Sequence, residues 1–251
     1  AIPLLHRDFG EDGGVQGALE NAKIPYAGCD TGAGAIACDK AATKALAESL
    51  SIPTLPFRVA VNTEGCIEAA EYLGYPLIVK PCTLGSSVGI SVATNRDDLT
   101  EATERALRLC PRVIIEKYLC APRELECGYF SANCKEIFTD PGEISCDEGF
   151  YDYEKKYLGV GKVKISHPAK IPEDIKRRIK DYTARLVRAI GVRDLCRADY
   201  FLKDGEIYFN EINTMPGFTE GSLYPEMLKN HGVEPGELIN LLIQGAIERG
   251  A

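Results

Sequence analysis

The stretch Cys196-Arg197-Ala198-Asp199-Tyr200-Phe201-Leu202-Lys203-Asp204-Gly205-Glu206-Ile207-Tyr208-Phe209-Asn210-Glu211-Ile212-Asn213 decides how this chain is read. Its middle is strand, tight turn, strand. Asp199, Glu211 and Asn213 offer the oxygen donors that magnesium prefers, and Arg197 adds a grip for a carboxylate or phosphate. Side chains alternate faces along a strand, so register decides whether these groups meet. A two-residue Asp204-Gly205 loop pairs Lys203 with Glu206, sets Asp199 opposite Asn210 and sends Glu211 to the far face. An odd-length loop, such as a three-residue turn with a glycine bulge, pairs 199 with 211 and 197 with 213. The odd loop is the expectation, with Phe201, Ile207 and Phe209 on the same half-buried face. The alternative is an ordinary hairpin edge with charged residues facing water.

Working outward, the chain has 251 residues, enough for one large or two modest domains. A hydrophobic fraction of 45% supports a sizeable core without disulfides. A net charge of −8 argues against nucleic acid or an anionic membrane as partner, so an anionic substrate must be held by local Lys and Arg. No run of apolar residues is long enough to span a bilayer. Ten cysteines are scattered without a Cys-x-x-Cys or a Cys/His spacing for zinc, which reads as reduced thiols in a cytoplasmic protein. Cys82 and Cys196 flank candidate site segments, but burial as small hydrophobes is the default. The opening Ala1-Ile2-Pro3-Leu4-Leu5-His6 lacks Met and starts in mid-strand, as a trimmed chain would.

The pattern predicts a helix near 14–22, a short strand ending at Gly28, and an alanine-rich helix over 33–50. Further helices are expected at 63–73, 97–109, 172–190 and 235–249. Strands are expected at 76–80, 90–93 and 112–117 and through 124–138, with 140–170 mostly loop. Alternating strands and helices with antiparallel hairpins give an α+β class with lobes around a cleft.

Several stretches carry candidate chemistry. Lys80-Pro81-Cys82-Thr83-Leu84-Gly85-Ser86-Ser87-Val88-Gly89 joins two strands, and its small side chains, backbone N–H groups and hydroxyls suit phosphate oxygens. It is not a Walker A loop, and on local grounds it is equally an ordinary glycine-serine loop. Gly32-Ala33-Gly34-Ala35-Ile36-Ala37 mimics a dinucleotide fingerprint but lacks the acidic strand end about 20 residues on, so it reads as a helix start. Lys40 and Lys44 share one helix face, by default a solvated one. Glu116-Lys117-Tyr118-Leu119 closes a strand before Glu124, a place to hold an adenine edge or simply a charged strand end. The aromatic loop 150–157 is a lid or a packed surface loop. His167 and His231 read as structural, and no Ser/His/Asp or Cys/His set stands out.

In this order the pieces resemble the D-alanine–D-alanine ligase family of the ATP-grasp fold. The resemblance runs through Leu5-His6 with Phe9-Gly10-Glu11-Asp12-Gly13, Asp39-Lys40, Val79-Lys80-Pro81 with the 85–89 loop, Arg123-Glu124, Tyr151-Asp152-Tyr153-Glu154 with Lys156-Tyr157, Arg197-Ala198-Asp199, Asn210-Glu211-Ile212-Asn213-Thr214 with Pro216-Gly217, and Ser222-Leu223. It implies two lobes clasping ATP, with residues 1–29 the remnant of an N-terminal α/β substrate domain. Residues 30–118 would be the central lobe, and 119–251 the C-terminal lobe with the metal site. It implies that ATP phosphorylates one D-alanine and that the amine of a second attacks the acyl phosphate, for peptidoglycan precursor synthesis. By the same resemblance Asp199, Glu211 and Asn213 bind two Mg2+ ions (or Mn2+), while Lys40, Lys80 and Lys156 meet ATP. Glu116, Lys117 and Leu119 frame adenine and Glu124 takes the ribose. Arg197 and the Gly217 amide stabilise the oxyanion, Ser86 and Tyr157 close the lid, and His6, Ser222 and Leu223 meet the amino-acid substrates. Tyr157 points to an amine-type second substrate. The D-Ala–D-Ser ligases and a non-catalytic nucleotide-binding remnant are the rival readings, and a homodimer is the expected assembly. Three departures stand out: an absent upstream substrate segment, which implies nucleotide binding with poor ligation, Arg7 in place of a glycine, and one extra residue near Pro122.

Overall fold

The structure, a computed structural model, describes residues 1–5, 10–133, 135–146, 163–219 and 221–250. His6, Arg7, Lys156, Tyr157 and the aromatic loop 150–157 lie outside the described residues. Two antiparallel sheets organise the rest. The smaller contains β1 (Phe57–Ala60), β2 (Leu77–Pro81), β3 (Ser91–Ala93) and β4 (Val113–Lys117) in the order β1-β4-β2-β3. Helices α4 (Thr63–Leu73) and α5 (Arg96–Leu107) cover one of its faces. Asn62 and Asn95 start these helices, their side-chain oxygens accepting N–H groups of the first turn. Alternation sends Ala60, Leu77, Val79, Val113 and Ile115 into the core beneath the helices. Phe57, Ile78, Lys80, Ile114 and Glu116 therefore share the opposite face.

The larger sheet runs β10 (Glu206–Asn213), β9 (Leu195–Lys203), β5 (Arg123–Ala132), β7 (Gly142–Cys146), β8 (Val163–Ser166), and β6 (Lys135–Phe138) pairs with β5. Strands β7 and β8 occupy part of the region expected to be loop. One face packs on α2 (Thr31–Cys38), α3 (Lys40–Ser49) and α6 (Glu173–Ile190) through Ala33, Ala47, Ile52, Ile179, Leu186, Tyr200 and Phe209. A satellite core gathers α7 (Leu223–Lys229), a helix the sequence reading missed, and α8 (Pro235–Gly250) around Phe130, Leu195 and Met215. The segment expected to form a central lobe from residue 30 thus splits: up to Ile52 it shares the larger core, and the smaller sheet begins at Phe57. Helix α1 (Gly14–Asn21) is where it was expected, whereas among the described residues no strand forms before Gly28. The rings of His167 and His231 are structural: they bond to backbone groups of Asp140 and Met227 and to Asn230. Among the described residues no helix is long and apolar enough to cross a membrane.

Two local corrections position the site. The alanine-rich run is broken at Asp39, whose extended backbone ends α2 and whose carboxylate caps α3 by accepting from Ala41 and Ala42. The hairpin turn is not odd. Lys203 pairs with Glu206, and Asp204 and Gly205 both take positive φ (51° and 82°), as a two-residue primed turn needs. The expected pairing of Asp199 with Glu211 and Arg197 with Asn213 nevertheless holds, because a bulge at Asn210 inserts the extra residue. Core parity along β10 switches at the bulge, from Ile207 and Phe209 to Ile212. Ile207 and Phe209 are therefore core residues, not members of the site face.

Deleting Asn210 should leave a continuous ladder in which Glu211, now next to Phe209, still pairs with Asp199 and faces outward. The expected outcome is a loss of about 1–2 kcal/mol in urea unfolding, from the missing hydrogen bond between Lys80 and the Asn210 amide oxygen. A loss of about 3–5 kcal/mol, the mark of an uncompensated buried carboxylate, would mean that Glu211 had left the outward face and would contradict the register.

Candidate active site

The outward face of the larger sheet carries an ordered polar row. Glu126 of β5 is the register partner of Asp199 in β9, which is the partner of Glu211 in β10. Three carboxylates thus stand side by side across three strands, an arrangement disfavoured without cations. Two residues further along, on the same face, Gly128, Arg197 and Asn213 align. On the other side lie Glu124, Phe201 and Tyr208.

Two cations answer the row. Arg197 grips Asp199 as a fork, with Nε to Oδ1 and Nη2 to Oδ2 both at 2.7 Å, and its Nε lies 3.3 Å from Glu126 Oε1. Burial opposes the guanidinium charge, but Asp199 and Glu126 more than offset it and raise its pKa well above the ordinary value. Lys40, at the start of α3, places Nζ 3.2 Å from Glu211 Oε2 and donates to the Leu84 carbonyl at 2.6 Å. Burial pulls its pKa down, yet Glu211 outweighs that and the net shift is upward. The split at Asp39 makes this possible, since it starts α3 beside the 82–89 loop, where Lys40 N–H donates to the Cys82 carbonyl.

A second ionic group joins the two sheets. Glu116 on β4 is fully buried, 3.2 Å from Lys44 of α3 and 2.8 Å from Lys80 of β2. Lys44 Nζ also donates to the Phe209 carbonyl, and Lys80 Nζ to Asn210 Oδ1, both at 3.2 Å. The two lysines therefore hold neighbouring residues of the bulge. Lys40 and Lys44 are not a solvated helix face, for both are buried. Burial works against the Glu116 charge, but the two lysines win and hold its pKa below the ordinary glutamate range. Burial depresses the Lys44 pKa, with Glu116 opposing.

On the outward face of the larger sheet a cavity of about 380 Å³ is lined by Arg197, Glu211, Asn213, Gly217, Ser222 and Leu223, and reaches Ser86 and Lys40. A smaller one of about 70 Å³ adjoins it, bordered by Lys80, Glu124, Phe201 and Asn210. Arg197, Glu126, Glu211, Lys40 and the Gly85-Ser86 turn line both. Ser86, Ser87 and Gly89 of that loop have positive φ, which curls it over the cavity mouth. Ser222 Oγ bonds Thr219 Oγ1 at 2.9 Å, while Leu223 is buried against Gly142. Asn213 Oδ1 accepts from Met215 N–H at 2.9 Å. Lys117 is turned away, its Nζ donating at 3.0 Å to the carbonyls of both Gly74 and Tyr75, and Leu119 sits half-buried past the strand end. The extra residue near Pro122 coincides with a positive φ at Ala121, and Glu124 still reaches the cleft face opposite Phe201.

Three residues of this arrangement were not picked from sequence: Glu126, Lys44 and Asn210. Glu126 was legible in principle, being two residues from Glu124 on one strand and hence on the same face. Lys44 was legible as one turn from Lys40, and its burial was not.

The donor set suits a hard divalent cation: two carboxylates and an amide oxygen on one face, with two internal cations facing the carboxylates. Among the described residues no three His, Cys, Asp or Glu side chains form a ready cage. A magnesium site completed by phosphate oxygens does not need one.

Comparison with known proteins follows the same lines. The family model described as D-ala D-ala ligase C-terminus matches residues 46–244. The D-alanine–D-alanine ligase of Streptococcus thermophilus is 41% identical over 247 residues, covering 96% of this chain and 70% of that protein. That of Streptococcus uberis is 42% identical over 252 residues, covering 98% and 72%. Among solved structures, D-alanyl-alanine synthetase A of Vibrio cholerae matches with a TM-score of 0.87 at 32% identity, over 98% of this chain and 76% of that one. The VanG D-Ala:D-Ser ligase of Enterococcus faecalis matches with a TM-score of 0.87 at 34% identity, over 98% and 72%.

Replacing Lys44 by Met should cost about 3 kcal/mol in urea unfolding, since Glu116 then keeps one cation fewer in a buried site. A pH series adds a signed test. Glu116 has a depressed folded pKa, so its contribution is full above the ordinary value of 4.5 and lost as pH falls through the folded value. In Lys44→Met the folded value should move back toward 4.5, so the acid loss should be smaller and complete at higher pH, and an unshifted profile would contradict the pairing.

Proposed function

The chain belongs to the D-alanine–D-alanine ligase family, whose members form a carbon–nitrogen bond, and we propose that it joins two D-alanines in an ATP-driven reaction that feeds peptidoglycan precursor synthesis. One observation carries the reading. The row Glu126–Asp199–Glu211 faces Lys40, Lys80 and the 85–89 loop across a cleft that opens onto Arg197, Gly217 and Ser222. Phosphoryl transfer followed by amide formation needs those two halves side by side: a phosphate grip, and an oxyanion grip next to it.

In the proposed reaction a carboxylate oxygen of the first D-alanine attacks the γ-phosphorus of ATP and ADP leaves. The amine of the second attacks the carbonyl carbon of the acyl phosphate and loses a proton, and inorganic phosphate departs. Lys40 and Lys80 hold phosphate oxygens, and the 85–89 loop covers them with backbone N–H groups and the Ser86 hydroxyl. Asp199, Glu211 and Asn213 would hold two magnesium ions, which when bound neutralise phosphate charge and align the γ-phosphoryl group. Arg197 and the Gly217 N–H receive the oxyanion of the tetrahedral adduct. Ser222 and the backbone of Leu223 take the carboxylate of the second D-alanine, and the cleft keeps water from the acyl phosphate. Glu124 receives the ribose. Adenine lies against the apolar cleft face of the smaller sheet and the strand end at 116–119, with Glu116 and the Lys117 side chain acting from behind. Roles for His6, Lys156 and Tyr157 rest on the sequence resemblance. The free thiols of Cys29, Cys38, Cys66, Cys82, Cys110, Cys120, Cys127 and Cys196 fit a cytoplasmic setting.

The test is dipeptide formation from Mg-ATP and D-alanine, read as phosphate release and as product mass, with D-serine and D-lactate offered as competing acceptors. D-alanyl-D-alanine should dominate. A dominant D-Ala–D-Ser product would select the serine-using reading, and nucleotide binding without turnover would select the non-catalytic one. Arg197→Met should lower kcat by about 10²–10³-fold, the usual cost of one oxyanion donor.

A further inference from the structure

We propose that Glu126 is a positioning residue for Arg197, receiving its guanidinium when Asp199 turns to a divalent cation. Metal loading and delivery of the arginine to the reaction centre then form a single exchange. The inference rests on the metal role proposed above for Asp199.

The geometry states the problem. Both oxygens of Asp199 are taken by the Arg197 fork at 2.7 Å. A charge-assisted bidentate pair of this kind is among the stronger side-chain interactions, and a cation approaching Asp199 must compete with it. Arg197 cannot answer by moving into water, because only 9% of its surface is exposed. A released, unpaired guanidinium at that depth would cost more than most single contacts return.

Glu126 meets both needs. It is 6% exposed, stands directly across from Asp199 on the neighbouring strand, and already has Oε1 3.3 Å from Arg197 Nε. The guanidinium therefore has a second acceptor one strand away, reached by a small rotation. The remaining carboxylate of the row, Glu211, is engaged by Lys40 at 3.2 Å. Glu126 and Arg197 line both cavities, so the exchange takes place where the phosphate side meets the amino-acid side. In this scheme the arginine stays clamped on a metal ligand until the cation arrives, and the oxyanion grip is assembled only on a loaded site.

A double-mutant cycle on Mn2+ binding, followed by electron paramagnetic resonance with the whole chain and no nucleotide, tests it. Glu126→Gln should weaken binding about five- to tenfold, because the displaced arginine loses its second acceptor, and Arg197→Met should tighten it by about the same factor. In the Arg197→Met background the Glu126→Gln effect should shrink to less than about twofold. Equal losses in both backgrounds would make Glu126 a metal ligand or a source of general negative potential, and no loss in either would make it a bystander; each overturns the proposal. Arg197→Gln, which removes the charge and keeps a polar side chain, supplies a second background should the Met variant fold poorly, and the same shrinkage is expected there. A readout independent of affinity is the Arg197 Nε–H resonance, which should shift on adding Mg2+ to the wild type and shift differently in Glu126→Gln. Asp199→Asn separates the two levels of the argument. If it leaves Mn2+ binding unchanged, the metal role of Asp199 itself fails; if it abolishes binding while the cycle shows no coupling, only the exchange fails.

Discussion

Three carboxylates on adjacent strands repel one another, and the rest of the cleft is arranged to make that repulsion tolerable. Glu126, Asp199 and Glu211 form a row that no isolated sheet would keep. It persists because Arg197 lies along it and Lys40 reaches it from α3. Both cations are buried, so each interaction acts in a low-dielectric setting where an unpaired partner would be costly. The row is thus a place of concentrated negative potential, in which Arg197 and Lys40 are the cations that the described residues set against three carboxylates, a setting that suits a divalent ion. Phosphate alone would be repelled; phosphate accompanied by a cation would not.

The second ionic group fixes where that row points. Lys44 and Lys80 converge on Glu116 from different parts of the molecule and also hold the carbonyl of Phe209 and the amide oxygen of Asn210. These two residues flank the step at which β10 changes core parity. One buried carboxylate therefore ties the smaller sheet to the larger and steadies the bulge that turns Glu211 outward. Coupling of this kind explains why charged residues at both groups are buried rather than displayed. The geometry of one sheet is set by contacts with the other.

Much of this was legible in the chain. The hairpin, its four polar residues and the pairing of 199 with 211 followed from alternation and from the chemistry of the side chains. The route was not legible, because an Asp-Gly turn and a later bulge give the same pairing as an odd loop, and Asn210 has no propensity that marks it as the extra residue. Asp39 was visible only as part of a motif. Its role as a cap that splits an alanine-rich run depends on the sheet that α2 and α3 pack upon. Strands β7 and β8 escaped because their polar, glycine-flanked sequences carry little periodicity, and α7 because seven residues give too short a pattern. Lys44 was misjudged for a simpler reason. A lysine on a helix is solvated unless a buried acid awaits it, and Glu116 is remote in sequence.

The account turns on Asp199 exchanging an arginine for a metal ion. The most direct measurement is a crystal structure of the chain with Mn2+ and a non-hydrolysable ATP analogue, with the metal located by its anomalous signal. The account predicts manganese bound by Asp199, Glu211 and Asn213, with Arg197 released from Asp199 and resting on Glu126. Manganese elsewhere, or Arg197 still forked on Asp199 beside a loaded site, would contradict it.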